Sequence, residues 1–177
     1  MSDIVAKQYT QWCYPQPIPD MAKAIKETGY YEFTDPRLFW PLLWPEGRQG
    51  KPPLRVLIAG CGTNQAAYNA LSNPSAQVTA IDLSLTSLQH TQYLKEKHGL
   101  DNLTLHHLNL LEVDTLDQQF DLIISTGVLH HLPDPEAGLC ALGSDEPDAL
   151  WLLPPCGCLH DAGSVSPARV RATSGRR

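Results

Sequence analysis

The sequence carries little basic charge and no long apolar segment. Its 177 residues include 13 lysines and arginines against 19 aspartates and glutamates, a net charge of −6, and the only basic cluster lies at residues 169–177. Nucleic-acid-binding surfaces need a basic patch, so this balance argues against a nucleic-acid partner. No stretch reaches the ~20 apolar residues of a membrane span, and no signal peptide is recognisable. We therefore expect a cytoplasmic protein without a membrane partner.

Cysteines are few, and none of them form a CxxC pair. The five cysteines are an odd number, which argues against a disulfide framework, and their spacing does not fit a four-ligand zinc site. Cys156, Cys158 and His160 have the spacing closest to that of metal ligands. They are the one alternative to our expectation that the protein binds no metal.

Aromatic residues are scarce outside the N-terminal region. Residues 1–50 hold nine of the 13 aromatic side chains, together with six prolines. Proline interrupts helices and is poorly tolerated inside sheets. We therefore expect residues 1–50 to form an extension of turns and short helices outside any sheet.

Residues 51–153 alternate short apolar runs with helical patterns. Such alternation is typical of βαβ units, which build a parallel sheet with helices on both faces. Ser84 is a suitable N-cap for one helix, and Gly99 ends it. The sequence therefore predicts an α/β fold, a Rossmann-like doubly wound parallel sheet with its ligand site at the carboxyl ends of the strands. The predicted strands cover residues 54–59, 77–81, 103–105, 120–125 and 149–153, and the predicted helices cover residues 64–71, 85–97 and 133–142.

A glycine turn follows the first predicted strand. Gly60 and Gly62 let the backbone turn tightly and approach a ligand closely. Asp82 ends the second predicted strand, where a carboxylate can accept both hydroxyls of an adenosine ribose. The alternatives are a tight turn without a ligand and an acid that interacts with the dipole of the next helix. Gln65 replaces the third glycine of a dinucleotide fingerprint, which makes NAD the weaker candidate cofactor.

Four motifs together resemble those of class I S-adenosylmethionine-dependent methyltransferases, in order and in spacing. They are the glycine turn Val-Leu-Ile-Ala-Gly-Cys-Gly-Thr-Asn at residues 56–64, Ile81-Asp82, residues 103–113 and residues 120–133. The resemblance implies a methyltransferase that uses S-adenosyl-L-methionine. It does not identify the methyl acceptor, which is a small molecule or a protein.

The resemblance also implies which residues contact the cofactor. The glycine turn would flank its methionine part, Asp82 would bind the ribose, and the loop after the fourth strand would pass beside the sulfonium and the methyl group. Asn109 stands where the family usually has an aspartate near the adenine amine, and the alternative is an ordinary loop residue. The implied cofactor-binding residues are Gly60, Cys61, Gly62, Thr63, Asn64, Asp82, Leu83, Asn109, Leu110, Thr126 and Gly127.

Two histidines follow that loop, at the edge of the implied substrate cavity. A neutral imidazole of His130 or His131 could accept a proton from a substrate nucleophile, so both are candidate catalytic residues. The alternative is that one packs on a helix and the other is solvated, since positioning can supply most of the acceleration of methyl transfer. The N-terminal aromatics also have two interpretations, a lid over the site or a cluster packed on the sheet, and the residues concerned are Trp12, Tyr14, Trp40 and Trp44.

The pattern stops after the fifth predicted strand. Residues 154–177 have no periodic apolar face, and the last two strands of the resembled family are not found there. We expect these residues to be a disordered tail, truncated or frameshifted relative to the family. A catalytically inactive cofactor-binding module and an NAD-dependent oxidoreductase are the alternatives to a methyltransferase.

Overall fold

The fold comes from a computed structural model that describes residues 14–30, 32–143 and 150–152. Five parallel strands form one sheet in the order β3-β2-β1-β4-β5. This arrangement confirms the predicted Rossmann-like α/β fold. The strands are β1 (Arg55–Ala59), β2 (Gln77–Asp82), β3 (Leu103–His107), β4 (Leu122–Ile124) and β5 (Leu150–Leu152).

Helices connect the strands, and their ends follow local capping chemistry. Ser84 accepts a hydrogen bond from the amide of Ser87 at the start of one helix, and Gly99 ends that helix in the left-handed conformation, as predicted. Two 3₁₀ segments, Leu110–Leu116 and Leu129–His131, lie before and after β4. The α-helices are α1 (Met21–Lys23, continued by a π-helical turn at Ala24–Thr28), α2 (Pro36–Leu43), α3 (Gln65–Ser72), α4 (Leu85–His98) and α5 (Pro135–Ala141).

The sheet is covered on both faces, because alternate residues of β1 belong to different core clusters. Val56 and Ile58 pack in one cluster with Leu94 of α4 and with the alanines of α3. Leu57 and Ala59 belong to the other cluster, which includes residues of the 3₁₀ segment after β3. Strands buried on both sides need apolar residues throughout, which explains the continuous apolar run of β1.

The N-terminal segment, of which the structure describes residues 14–30 and 32–50, lies outside the sheet and is fixed to α4 by hydrogen bonds. The amide of Met21, a fully buried residue, donates to Nε2 of His98 at 3.2 Å. Nε2 of His90 lies 3.1 Å from the carbonyl oxygen of Ile18. Other hydrogen bonds, from Thr63 and Asn64 to residues 15–18, hold the start of this segment beside the glycine turn.

Several predictions concern residues outside the described part of the chain. They are the disordered, truncated or frameshifted tail at residues 154–177 and the metal-like group of Cys156, Cys158 and His160. Within residues 14–30, 32–143 and 150–152, no three histidines, cysteines or acids come together as metal ligands would. In the same described ranges, no helix has both the length and the apolar character that crossing a membrane requires.

The packing of α4 on the sheet generates a stability prediction. Leu94 is fully buried, whereas Leu85 on the same helix is 51% exposed. We expect Leu94→Ala to lower the free energy of unfolding by about 2–5 kcal/mol, because it leaves a cavity beneath α4. Leu85→Ala, the same change at an exposed position, should stay within about 0.5 kcal/mol of wild type. Urea denaturation measures both values, and equal losses would contradict this packing.

Candidate functional site

A cavity of about 340 Å³ lies at the carboxyl-terminal edge of the sheet. The chain leaves β1 toward β2 on one side of the sheet, and β4 lies on the other side. In open α/β sheets, ligands bind where the strand order reverses in this way. The cavity is therefore located where the sequence predicted a ligand site.

The glycine turn forms one wall of the cavity and has no room for side chains. Gly60 has φ +78°, and a Cβ built on it would lie 2.2 Å from Cγ2 of Val128. Gly62 has φ +54°, and its Cβ would lie 2.9 Å from the carbonyl oxygen of Tyr14. Both positions need glycine for conformation and for space, because positive φ strains other residues. The missing Cβ atoms let Val128 and the backbone of Tyr14 pack directly against the turn.

Asp82 joins the end of β2 to the glycine turn. Its Oδ2 accepts a hydrogen bond from the amide of Gly62 at 2.8 Å, and its Oδ1 accepts one from the amide of Ser84 at 2.8 Å. Burial raises the pKa of the Asp82 carboxyl, while hydrogen bonds from these backbone amides oppose the shift. Each carboxylate oxygen can accept more than one hydrogen bond, so both keep acceptor capacity toward the cavity.

Gln65 connects three parts of the site. Its Nε2 donates to the hydroxyl of Thr34 at 2.9 Å and to the hydroxyl of Thr126 at 3.2 Å. Gln65 itself is buried at the start of α3. Its side chain therefore ties the N-terminal segment and the loop after β4 to the helix that follows the glycine turn.

Most of the predicted cofactor-binding residues line this one cavity. They come from the ends of three strands and from the segment after β3, as expected for a site at a sheet edge. Burial raises the pKa of Cys61 well above its ordinary value, so this thiol stays protonated and unreactive. The predicted cofactor-binding residues that line the cavity are Gly60, Cys61, Gly62, Asp82, Leu83, Leu110, Thr126 and Gly127.

Thr63 and Asn64, predicted to contact the cofactor, are not among the described residues that line the cavity. The Thr63 hydroxyl donates to the carbonyl of Pro15 at 2.6 Å. The Asn64 side chain donates to the carbonyl of Gln16 at 2.9 Å and accepts from the amide of Ile18 at 3.0 Å. Both side chains are buried, and their polar atoms hold the N-terminal segment against the glycine turn. Their predicted contact with the cofactor stays a prediction.

Asn109 and His130 are also not among the described residues that line the cavity. Oδ1 of Asn109 accepts a hydrogen bond from the amide of Leu111 at 3.1 Å, so this side chain caps a 3₁₀ segment. His130 is exposed, and its ring centroid lies 3.8 Å from that of His131. A sequence cannot tell which of two adjacent histidines faces inward when a short 3₁₀ turn carries both.

His131 does line the cavity. Burial, together with the neighbouring His130, lowers the pKa of the His131 imidazole. The ring is therefore neutral at pH 7, the form that can accept a proton.

The N-terminal segment contributes cavity residues that the sequence analysis did not predict. They are Tyr30, Glu32 and Phe33, and they line the cavity beside Tyr14, one of the four predicted lid residues. For Tyr30 and Phe33 the only sequence signal is the aromatic enrichment of residues 1–50, which does not say which side chains face the site, and Glu32 has no such signal. The remaining predicted lid residues differ in placement: Trp40 and Trp44 pack on the core cluster around Ile58, and Trp12 lies outside the described residues.

The segment that carries this geometry also matches a known family. A sequence model of the methyltransferase domain family matches residues 51–141. This match covers just over half of the chain and the whole segment from β1 to α5. The chain belongs to the methyltransferase domain family. This match confirms the predicted family, that of the class I S-adenosylmethionine-dependent methyltransferases.

Relatives of this methyltransferase domain are longer proteins. An uncharacterised protein of a Synechococcus strain is 43% identical over 113 residues, which are 63% of this chain and 25% of the relative. The chain thus spans about a quarter of the length of this curated relative.

Two solved structures share the fold of the methyltransferase domain. The N-terminal domain of EvdMO1, with SAH bound, aligns with a TM-score of 0.53 and 18% identity over 80% of this chain and 60% of its own. A protein studied for the conversion of a disulfide bond into a thioacetal group during echinomycin biosynthesis aligns with a TM-score of 0.50 and 22% identity, over 80% of this chain and 55% of its own. At these identities the likeness concerns the fold alone.

The close approach of Gly60 to Val128 generates a prediction for this site. We expect Gly60→Ala to lower the free energy of unfolding by about 1–3 kcal/mol more than Gly50→Ala does, because a Cβ at residue 60 overlaps the Val128 side chain. Gly50 is a matched control, since it has φ +74° and nothing within 4 Å of its Cβ position.

A double variant tests the cause of that loss. Val128→Ala removes the methyl groups that meet the new Cβ, so it should recover part of the stability lost in Gly60→Ala. Urea denaturation of the single and double variants measures the coupling. Simple addition of the two losses would contradict a direct contact.

Proposed function

We propose that this chain binds S-adenosyl-L-methionine in the cavity at the edge of the sheet and transfers its methyl group to an acceptor, a small molecule or a protein. The observation that carries the proposal is the placement of Asp82 beside the glycine turn, in the matched domain. There the carboxylate holds the turn through the amide of Gly62 and keeps acceptor capacity for the two hydroxyls of a ribose. The cytoplasmic location stays a prediction from composition.

The walls of the cavity fit the remaining parts of such a cofactor. Leu83, Leu108 and Leu110 line the cavity along with Asp82 and offer an apolar surface for a planar adenine. Gly60, Cys61 and Gly62 line the cavity as well, so the turn after β1 forms part of its wall. Thr126 and Gly127 line the cavity after β4, where the resemblance implies the sulfonium and methyl group.

The geometry gives no support to the NAD alternative. A pyrophosphate would need to approach the start of α3 closely, where dinucleotide-binding proteins have a third glycine. Gln65 occupies that position, and its amide is held by Thr34 and Thr126. A pyrophosphate there would meet this side chain in place of the open backbone of a glycine.

We further propose that His131 acts as the general base for the acceptor. When bound, S-adenosylmethionine supplies a methyl group on a positively charged sulfur, and an acceptor nucleophile attacks this methyl group in line with its bond to the sulfur. The protein then has to orient the acceptor, exclude water and take its proton. His131 lines the cavity and is neutral at pH 7, so its imidazole can hold that proton.

Binding measurements test the cofactor. Calorimetry with the purified chain is expected to detect binding of S-adenosylhomocysteine and of S-adenosylmethionine. NAD should bind at least about tenfold more weakly, a difference of about 1.4 kcal/mol in binding free energy. Asp82→Ala should weaken S-adenosylhomocysteine binding by about 1.5–3 kcal/mol, the scale of hydrogen bonds to a charged group.

Two controls accompany this measurement. Asp101→Ala, at an exposed turn, should leave the affinity unchanged. Because Asp82 also accepts two backbone hydrogen bonds, circular dichroism must first establish that Asp82→Ala is folded, and Asp82→Asn serves as a milder variant. Tighter binding of NAD than of S-adenosylhomocysteine would rule out the proposal.

The histidine pair tests the mechanism. Release of S-adenosylhomocysteine is measured with a panel of small amines, thiols and phenols as acceptors. His131→Ala should lose about 10²- to 10⁴-fold in rate while it keeps its affinity for S-adenosylhomocysteine. His130→Ala, the neighbouring exposed histidine, should keep the wild-type rate. A wild-type rate in His131→Ala would leave positioning as the only catalytic contribution, and cofactor binding without turnover of any acceptor would favour the inactive-module alternative.

A further inference from the structure

The N-terminal segment adds a second carboxylate to the cavity. Among the described residues that line it, Asp82 and Glu32 are the acids, and none is a lysine or an arginine. The two acids differ in their partners. Asp82 accepts hydrogen bonds from two backbone amides, whereas the Tyr30 hydroxyl is the one hydrogen-bond partner of the Glu32 side chain within the described residues. Glu32 therefore contributes a negative charge to the cavity that no described cation offsets.

Arg37, the first basic residue after Glu32 in the sequence, does not neutralise it. Nε of Arg37 donates to both carboxylate oxygens of Asp35, at 3.1 and 2.9 Å. Asp35 is buried and also accepts a hydrogen bond from the hydroxyl of Tyr68 at 3.0 Å. The positive charge of Arg37 is thus paired with Asp35. Burial of Glu32 raises the pKa of its carboxyl, as expected for an acid without a cationic partner.

The surroundings of Glu32 hold it in a defined position. The Tyr30 ring packs edge-on against Tyr68, with ring centroids 5.8 Å apart and planes at 75°. Thr34, two residues after Glu32, is hydrogen-bonded to Gln65, which also binds Thr126. Glu32 therefore belongs to the part of the cavity wall that is tied to the loop after β4.

We propose that Glu32, oriented by the Tyr30 hydroxyl and accompanied by the Phe33 ring, forms a binding site for an ammonium group. A carboxylate makes its strongest hydrogen bonds with a cationic donor, and aromatic faces attract cations as well. The inference rests on the proposed function, because it places this site in the cofactor cavity. Two ligands carry the required group, the amino-acid part of S-adenosylmethionine and an amine acceptor.

The first arm of the test uses a pair of cofactor analogues. S-adenosylhomocysteine has the amino-acid ammonium, and 5′-methylthioadenosine lacks it. If the site holds the cofactor, Glu32→Gln should raise the dissociation constant of S-adenosylhomocysteine by roughly 10- to 100-fold and leave that of 5′-methylthioadenosine nearly unchanged. Glu46→Gln, the same change at an exposed residue, should alter neither constant.

The second arm uses phenethylamine as an amine probe on the complex with S-adenosylhomocysteine, and phenylacetate as its anionic counterpart. If the site holds the acceptor, Glu32→Gln should weaken the binding of phenethylamine by roughly tenfold or more and leave the affinity for S-adenosylhomocysteine unchanged. Phenylacetate should bind the wild type more weakly than phenethylamine does. Tyr30→Phe, which removes only the hydroxyl, should weaken the binding of the same ligand to a smaller degree. It replaces Glu32→Gln in the test if that variant is unfolded.

The two proposals fail in different ways. If the wild type binds neither S-adenosylhomocysteine nor 5′-methylthioadenosine, the proposed function is wrong. If the wild type binds both, and Glu32→Gln affects neither S-adenosylhomocysteine nor phenethylamine, only the ammonium site is wrong. If Glu32→Gln weakens the binding of S-adenosylhomocysteine and of 5′-methylthioadenosine equally, the ammonium site is also wrong. That pattern indicates a distorted cavity and not a lost ammonium contact.

Discussion

The hydrogen bond between Asp82 and the amide of Gly62 joins the ends of the two central strands, and the shape of the site depends on it. The sheet ladder leads into this contact, since the amides of Gly60 and Cys61 both donate to the carbonyl of Ile81, at 2.8 and 3.1 Å. The turn after β1 is therefore fixed by β2 through backbone and side chain together. Because that turn has no side chains at its glycines, fixing its backbone also fixes one wall of the cavity.

Another wall of the cavity is built from the N-terminal segment, which is far from the glycine turn in sequence. Polar side chains around the start of α3 hold this segment in place. Thr63, Asn64 and Gln65 are buried, and each makes a hydrogen bond to the N-terminal segment. A buried polar group without a partner costs about 1–3 kcal/mol, so the N-terminal segment and the start of α3 stabilise each other. The aromatic rings of the segment then reach the cavity as a consequence of this docking.

Charge gives the site its chemical character. The described wall combines two carboxylates with apolar and aromatic surface and has no lysine or arginine. Such a site disfavours anions and favours ligands that carry positive charge, because opposite charges interact strongly where water is partly excluded. The net charge of the whole chain is also negative, so the cavity and the rest of the protein both attract a cationic ligand.

The sequence by itself determined the sheet and the part of the site that the sheet carries. Apolar runs, a serine cap and glycine stops are local signals, so they predicted β1, β2 and α4 to within a residue or two, and with them Gly60, Gly62 and Asp82 at one edge. Tertiary structure alone decided the direction of individual side chains. Thr63 and Asn64 turn to the N-terminal segment, His131 and not His130 reaches the cavity, and Glu32 enters it from a segment without periodicity. These outcomes depend on contacts between residues about 30 to 50 positions apart or on the geometry of a single turn, and local patterns contain no information about either.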